Sequence, residues 1–536
     1  MNMKLSKRDR ERYERAVSMG SILEKPDATK PKKPESSFDF EKVLFHFSSE
    51  GGKIPFYVRD SFASVAIFGA TSSGKTSGPG EFYATKYLAA GYGGLVLTTK
   101  PTDKDDWIRY ARATGRENDL IIVEPIDSGG KAFFDFLHFE STRSKGGIYL
   151  QNVADTLKAV IRTNEEKNSG STKDEFFDSA LDQLVFFTLE ICMLAHEKLD
   201  LQTVYEIAIS APKAGTKPDP RQPKTAYVKA FEAAQMKVNG DIFTYIDHSL
   251  SIAEKEKIKN VEYFESLMLK VIPDAKRLRM IDQFFNETYK NLSDKTRSIV
   301  EFSWTGFLFT LMQEPIYSLF CGNASTFTPE DCWKGKVIIL ALPTLIYDKA
   351  GRSAQLLFKY TWQKVMQKRT PENGWTPVFH FADEAQGFVT EHDAKFLTTC
   401  RSSGVANVFL SQNLPNYHAF MGGDSHKIEH KVKSLMGNFA TKIFACNTCT
   451  ATNQWASDLC GSGYTENISR SSTISGDFSS SQSFQYTLEP MVRPELFGRL
   501  LQGGPKNGCI VETIVHRQGE LFDNGHNFKK VIFKQK

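Results

Sequence analysis

The sequence predicts an α/β protein with a mainly parallel central sheet and an inserted all-helical domain. Three observations carry this. Short apolar runs alternate with helical stretches from Ser64 to Pro125, helical periodicity fills residues 146–319, and strand patterns resume at Lys336. A strand–helix–strand–helix–strand order implies right-handed crossovers and therefore parallel pairing.

Residues 1–37 are polar and charged and end in the Pro/Lys-rich stretch KPDATKPKKPESS. They are expected to form a flexible arm, either a docking segment or a solvated tail. From Phe38 the pattern alternates as in strands. SVAIFG is the kind of apolar run that becomes a central parallel strand. EFYATKYLAAG then reads as a helix ending at Gly91, GGLVLTT as a strand, DDWIRYARATG as a helix and DLIIVEP as a third strand. Beyond residue 145, apolar residues recur at i, i+3 and i+4 in five segments, of which DEFFDSALDQLVFFTLEICMLAHEKL is the longest.

Strands resume with KVIILAL, followed by a long helix, SAQLLFKYTWQKVMQK. Five more strands are expected, in TPVFHFADEA, ANVFLSQN, FATKIFA, GCIVETIV and KKVIFK. The sheet domain is thus expected in two sequence halves, 38–145 and 320–536, around a helical domain at 146–319. Within the second half, residues 466–486 carry SRSSTISGDFSSSQS, read as a mobile Ser-rich loop.

Composition narrows the class. At about 100–200 residues per domain, 536 residues suggest two to four domains. Hydrophobic residues make up 40% and charged residues 24%, as in ordinary soluble proteins. A net charge of +4 is too small to indicate a nucleic-acid partner by itself. Eight cysteines in this length form no disulfide framework, and Cys192 and Cys509 lie in apolar runs, which fits a reducing compartment. Cys446 and Cys449 make one CxxC without a second pair at zinc-site spacing, so structural thiols are expected there. No signal peptide is evident. The most apolar runs, LVFFTLEICMLA and VIILALPTLI, fall well short of the roughly 20 residues of a spanning helix.

Gly69, Ala70, Thr71, Ser72, Ser73, Gly74, Lys75 and Thr76 fit G-x-x-x-x-G-K-[ST] between a predicted strand and a predicted helix. Glycines let backbone N–H groups turn toward phosphate oxygens, and the helix N-terminus adds positive potential. Lys75 would reach the β- and γ-phosphates of ATP, and the Thr76 hydroxyl would ligate Mg²⁺. Pro79, between Gly78 and Gly80, is expected to disturb the helix that follows.

Hydrolysis needs an acid near that loop. Asp383 and Glu384 follow the strand PVFHFA. At the C-terminal end of a parallel strand, Asp383 would hold Mg²⁺ through water, and Glu384 would orient and deprotonate the attacking water. Arg401 precedes the next strand and Gln412 ends it. Chemistry alone leaves two readings of each. Gln412 is a sensor of the γ-phosphate or a strand-capping amide. Arg401 is a finger reaching a neighbouring subunit's nucleotide or a surface arginine.

The pattern of Asp383-Glu384, Arg401 and the LSQN glutamine resembles the ATPase core of the type IV secretion coupling proteins. These conjugative DNA-transfer ATPases belong to the additional-strand, RecA-like superfamily, which also contains septal DNA translocases. FFDSALDQLVFF is similar to the helix opening the family's all-helical domain, and SDKTRSIVEFSW to the helix returning from it. GNFATKIFACNTCTATNQWASDLCG resembles the family's GN…TKI strand and the Thr-x-x-x-Trp helix after it. The resemblance runs from about residue 55 to 530.

It implies a RecA-like P-loop NTPase working as a homohexamer, with ATP and Mg²⁺ between subunits. Lys75, Thr76, Asp383, Glu384 and Gln412 would take the nucleotide roles given above, and Arg401 that of the arginine finger. The implied activity is ATP-driven delivery of a relaxase–DNA complex to a secretion channel, at the cytoplasmic face of the inner membrane. Two alternatives accompany it: an ATP-dependent receptor for effector proteins, and a nucleotide-gated adaptor with little pumping. Most coupling proteins carry N-terminal membrane helices and this sequence shows none, so a separate anchor protein is a further expected partner. VLTTKPTD has Thr99 where many members have an acidic residue, which leaves the contact at that point open.

Overall fold

The computed structural model describes residues 39–49, 52–142, 149–165, 175–214, 221–369, 376–421, 425–475 and 477–535. The expected arm at 1–37 lies outside them. Two antiparallel strands come first, β1 (Val43–Ser49) and β2 (Gly52–Tyr57). The first half continues with β3 (Val65–Phe68), β4 (Gly93–Leu97) and β5 (Leu120–Val123). The second half supplies β6 (Val337–Leu340), β7 (Val378–Ala382), β8 (Val405–Ser411) and β9 (Thr441–Phe444). Next come β10 (Ser462–Ser475) and β11 (Asp477–Pro490), then β12 (Ile510–Arg517) and β13 (Phe528–Lys534).

Eleven of these strands form one sheet in the order β2-β1-β13-β12-β9-β3-β8-β7-β4-β6-β5. From β9 to β5 every pairing is parallel. The flanking β12, β13, β1 and β2 pair antiparallel. The C-terminal ends of β3, β8 and β7 therefore lie side by side at one edge. Ser411, which ends β8, is in register with Phe68, which ends β3.

Each face of the sheet has its own core, set by the period-two alternation of strands. Val65 and Ile67 of β3 face a cluster with Tyr83, Tyr87 and Trp107 from helices Glu81–Ala89 and Asp103–Ala113. Ala66 and Phe68 face the other cluster, which includes Leu357 and Trp362 of the long helix Thr344–Gln367. That second core runs on without a break into the helical region. Leu157, Leu184, Trp304 and Leu308 belong to the same buried cluster.

Helices at Leu150–Glu165, Glu175–His196, Ala226–Ser249, Val261–Val271 and Asp294–Leu311 fall where the periodicity predicts them. A short helix, Leu201–Ile209, was not anticipated. Asp200 starts it by accepting the Thr203 N–H, and Leu201, Val204, Ile207 and Ala208 bury one face.

One expectation needs correcting. Residues 466–486 are not a loop. They lie within a separate two-stranded antiparallel ribbon of β10 and β11, with Tyr464 opposite Leu488, Glu466 opposite Tyr486 and Ile468 opposite Phe484. Serine and threonine dominate the composition, but Phe484, Tyr486 and Leu488 alternate, and Tyr464 and Ile468 fall on the same face of the ribbon opposite Leu488 and Phe484. The disturbance expected at Pro79 is present, and it takes the form of a wider turn and not of a break. Thr76–Gly80 form a π-helical turn in which Gly80 N–H donates to Lys75 O at 2.9 Å, and the wider turn leads directly into Glu81–Ala89.

Candidate active site

The loop after β3 turns through two residues of positive φ, Ser72 at 62° and Gly74 at 81°. Gly74 is required twice over. Its φ suits glycine, and a Cβ there would stand 2.5 Å from Val511 Cγ2 and 2.8 Å from Gln502 O. The loop is tied at its start to the neighbouring strands. Gly69 N–H donates to Ser411 O, and Ala70 N–H donates to Cys446 O. Ser73 Oγ is buried in the loop without a hydrogen-bond partner among the described residues. An orphaned hydroxyl within such a cradle fits an anionic ligand.

Two pairs of side chains join the loop to the end of β7. Lys75 Nζ lies 3.1 Å from Glu384 Oε1, and Thr76 Oγ1 donates to Asp383 Oδ2 at 2.9 Å. The side chains of Lys75 and Asp383 are each 7% exposed and that of Glu384 is 14% exposed. Thr76 and Asp383 thus present two oxygens side by side next to the loop, as a Mg²⁺ bound with a triphosphate needs. Lys100 Nζ approaches Asp383 Oδ2 at 3.7 Å. Thr99, left open above, uses its hydroxyl to hold the Asp383 carbonyl at 3.2 Å.

Glu384 adopts a left-handed backbone, φ 50° and ψ 46°. A non-glycine residue there costs on the order of 1–3 kcal/mol, and such strain clusters at functional sites. Asp383 Oδ1 holds the turn by accepting the Glu384 N–H at 2.9 Å. Three side chains address the Glu384 carboxylate: Lys75 and Gln412 at Oε1, the latter at 3.4 Å, and Gln386 at Oε2 at 2.9 Å. Burial pushes the carboxyl pKa up. The Lys75 ammonium and the hydrogen bonds from Gln386, Lys75 and Gln412 outweigh it, and the net shift is downward. Glu384 is therefore ionised at neutral pH. One side of it opens on a cavity of about 580 Å³ that Lys100, Lys349, Arg352 and Gln412 also line.

The turn after Glu384 is anchored from below. Arg352 Nε donates to Gly387 O at 2.6 Å, and Lys359 Nζ donates to Phe388 O at 2.6 Å. Lys359 also pairs with Asp393 at 2.6 Å, both being buried, and Gln363 donates to the other Asp393 oxygen. Burial raises the Asp393 pKa, but Lys359 and Gln363 overcome this and hold it at about 2.

Of the predicted site residues, Gly69 to Thr76, Asp383, Glu384 and Gln412 converge at this one edge of the sheet. Arg401 does not join them. It sits in the turn before β8, at the opposite end of the strand from Gln412, and β8 is seven residues long, or about 23 Å. There Arg401 is exposed and shares a polar depression of about 430 Å³ with Arg59, Thr441, Arg517 and Gln518. Gln386 and Lys100 are not singled out by the sequence, and Thr99 is marked there only as a departure whose contact is open. Gln386 lies only two residues beyond Glu384, but its contact depends on the left-handed turn between them, which no motif encodes. Among the described residues no helix is long and apolar enough to cross a membrane.

Comparison with known proteins gives the following. Residues 377–502 match the family model described as the TraM recognition site of TraD and TraG. No curated protein sequence matches. Among solved structures, the bacterial conjugative coupling protein TrwBdeltaN70 in its trigonal form with sulphate is 13% identical, with a TM-score of 0.57 over 94% of this chain and 96% of that one. The plasmid coupling protein TrwB with ADP and Mg²⁺ is 13% identical, with a TM-score of 0.56 over 92% of this chain and 90% of that one. TrwB with the ATP analogue ADPNP is 14% identical, with a TM-score of 0.55 over 94% and 97%. At these identities the likeness is one of fold.

Proposed function

We propose that this chain, which has the fold of the conjugative coupling proteins and matches the TraD and TraG family model over residues 377–502, is an ATP-hydrolysing coupling protein that drives a relaxase–DNA complex into a type IV secretion channel. The observation that carries this is the meeting of Lys75 with Glu384 and of Thr76 with Asp383 across one edge of the sheet. The solved TrwB complexes with ADP and Mg²⁺ and with ADPNP support nucleotide and cation as ligands.

Thr76 and Asp383 would hold Mg²⁺, which would supply neutralisation of phosphate charge. The chain's own groups do the rest. Loop amides grip the phosphates, and Lys75 exchanges its Glu384 partner for phosphate oxygens. Glu384, ionised and freed on that side, accepts a proton from the attacking water. Gln412 reads the γ-phosphate and relays its loss along β8. Arg401, remote from its own subunit's site, acts on a neighbour's nucleotide in a homohexamer.

Residues 146–319 are proposed as the cargo-recognising domain, and 38–145 with 320–536 as the motor. Work is expected at the cytoplasmic face of the inner membrane, with a separate anchor protein. The test is steady-state ATP hydrolysis with and without single- and double-stranded DNA across a salt series. Stimulation that falls steeply with salt supports a DNA cargo gripped through phosphates. Turnover indifferent to DNA moves the cargo to protein effectors.

A further inference from the structure

We propose that Gln386 is a positioning residue that pins one oxygen of Glu384 through an amide oriented by Ser411, so that Oε1 is the oxygen that takes the proton. This rests on the ATPase reading above. Gln386 is buried in the short turn Ala385–Gly387. Its Nε2 donates to Glu384 Oε2 at 2.9 Å, and its Oε1 accepts from Ser411 Oγ at 2.8 Å. An ionised carboxylate has no proton to give, so the amide NH₂ must face Glu384. The amide oxygen then faces Ser411, whose hydroxyl must donate. The orientation of all three groups follows from the charge on one of them.

Ser411 is fully buried at the end of β8, between the strands that carry the phosphate loop and the acid. Its carbonyl receives the Gly69 N–H that anchors the loop. One residue therefore fixes both the start of the phosphate loop and the amide that holds the base.

The two Glu384 oxygens are consequently unlike. Oε1 faces Lys75 and Gln412, while Oε2 faces Gln386. When Lys75 turns to phosphate, Oε1 loses its cation and Oε2 keeps its amide. A water bound at Oε1 gives it a proton as the water oxygen bonds to the γ-phosphorus. The electron pair of the breaking bond leaves with ADP.

The experiment compares native protein with Gln386→Met, Ser411→Ala, their double variant and Glu384→Gln. Methionine preserves length and volume and removes both hydrogen bonds. For Gln386→Met, kcat is expected to fall about 10- to 100-fold, a part of the 10²–10⁴ that a positioned base contributes. The affinity for a fluorescent ATP analogue should stay within about twofold. The loss should therefore fall on turnover and not on nucleotide affinity, as expected for a residue that orients the base. Ser411→Ala should err in the same direction by less, and the double variant should be no worse than Gln386→Met.

Turnover by Gln386→Met within twofold of native, with Glu384→Gln inactive, overturns the proposal and leaves the ATPase reading standing. Equal loss of binding and turnover also overturns it, since that is a merely structural effect. Normal turnover by Glu384→Gln sinks the ATPase reading instead. Should Gln386→Met not fold, Ser411→Ala decides, and native kcat in that variant overturns the proposal.

Discussion

Lys75 Nζ stands 3.1 Å from Glu384 Oε1 although 309 positions separate the two residues in the chain. The cation proposed to bind phosphate and the carboxylate proposed to activate water thus serve as each other's partner in this structure. The lysine favours the ionised carboxylate where solvent is scarce, and on the proposed function the carboxylate competes with the nucleotide for the lysine.

Glu384→Gln should therefore bind ATP at least as tightly as native protein, because the competitor has lost its charge. Hydrolysis should fall by about 10²–10⁴. Lys75→Ala should lose nucleotide binding and leave the Glu384 charge uncompensated. Equilibrium binding of a fluorescent nucleotide and phosphate release separate the two.

Arg401→Ala should leave nucleotide affinity of the isolated subunit unchanged and depress turnover of the assembled protein, by about 10³–10⁵ for a full arginine finger. Mixing it with Lys75→Ala subunits should restore part of the activity, since each lacks what the other supplies. Absence of rescue at every ratio counts against action between subunits.

The buried pair of Lys359 and Asp393 holds up the turn that carries Glu384. Asp393→Asn alone strands a buried ammonium and should cost about 3–5 kcal/mol of unfolding free energy. The combined Lys359→Met and Asp393→Asn change should recover most of that. Denaturant titration of the two variants measures the difference.

Acid should act on the fold and on turnover in a fixed sense. Asp393 is held at about 2, below its ordinary 3.8, so it contributes stability at every pH above 3.8 and loses it as pH falls toward 2. Glu384 also lies below its ordinary 4.5, so the base form persists down through that value. The kcat/KM profile should be flat from pH 7 to 5 on its acidic side.

Much of this was legible in the sequence because it is local. The phosphate loop is one contiguous motif, Asp383-Glu384 closes a readable strand, and Gln412 ends the next. What was illegible depends on chain folding back on itself. Thr99 meets the Asp383 carbonyl across 284 positions, and Ser411 meets Gln386 only because β8 lies beside β7. The β10–β11 ribbon was missed for another reason. Its serine content hid the alternation of Phe484, Tyr486 and Leu488, which is the stronger signal.

That ribbon is rooted at Gly461, whose φ of 83° lets the chain leave helix Thr450–Cys460 and turn into β10. Each of its strands has 14 residues, so its reach is about 45 Å. Its root follows helix Thr450–Cys460, whose Trp455 packs on Phe68 of β3. A five-degree tilt at the base displaces the far end by about 4 Å, roughly one residue's rise along a strand, so a small rotation at the root becomes a step the length of a monomer.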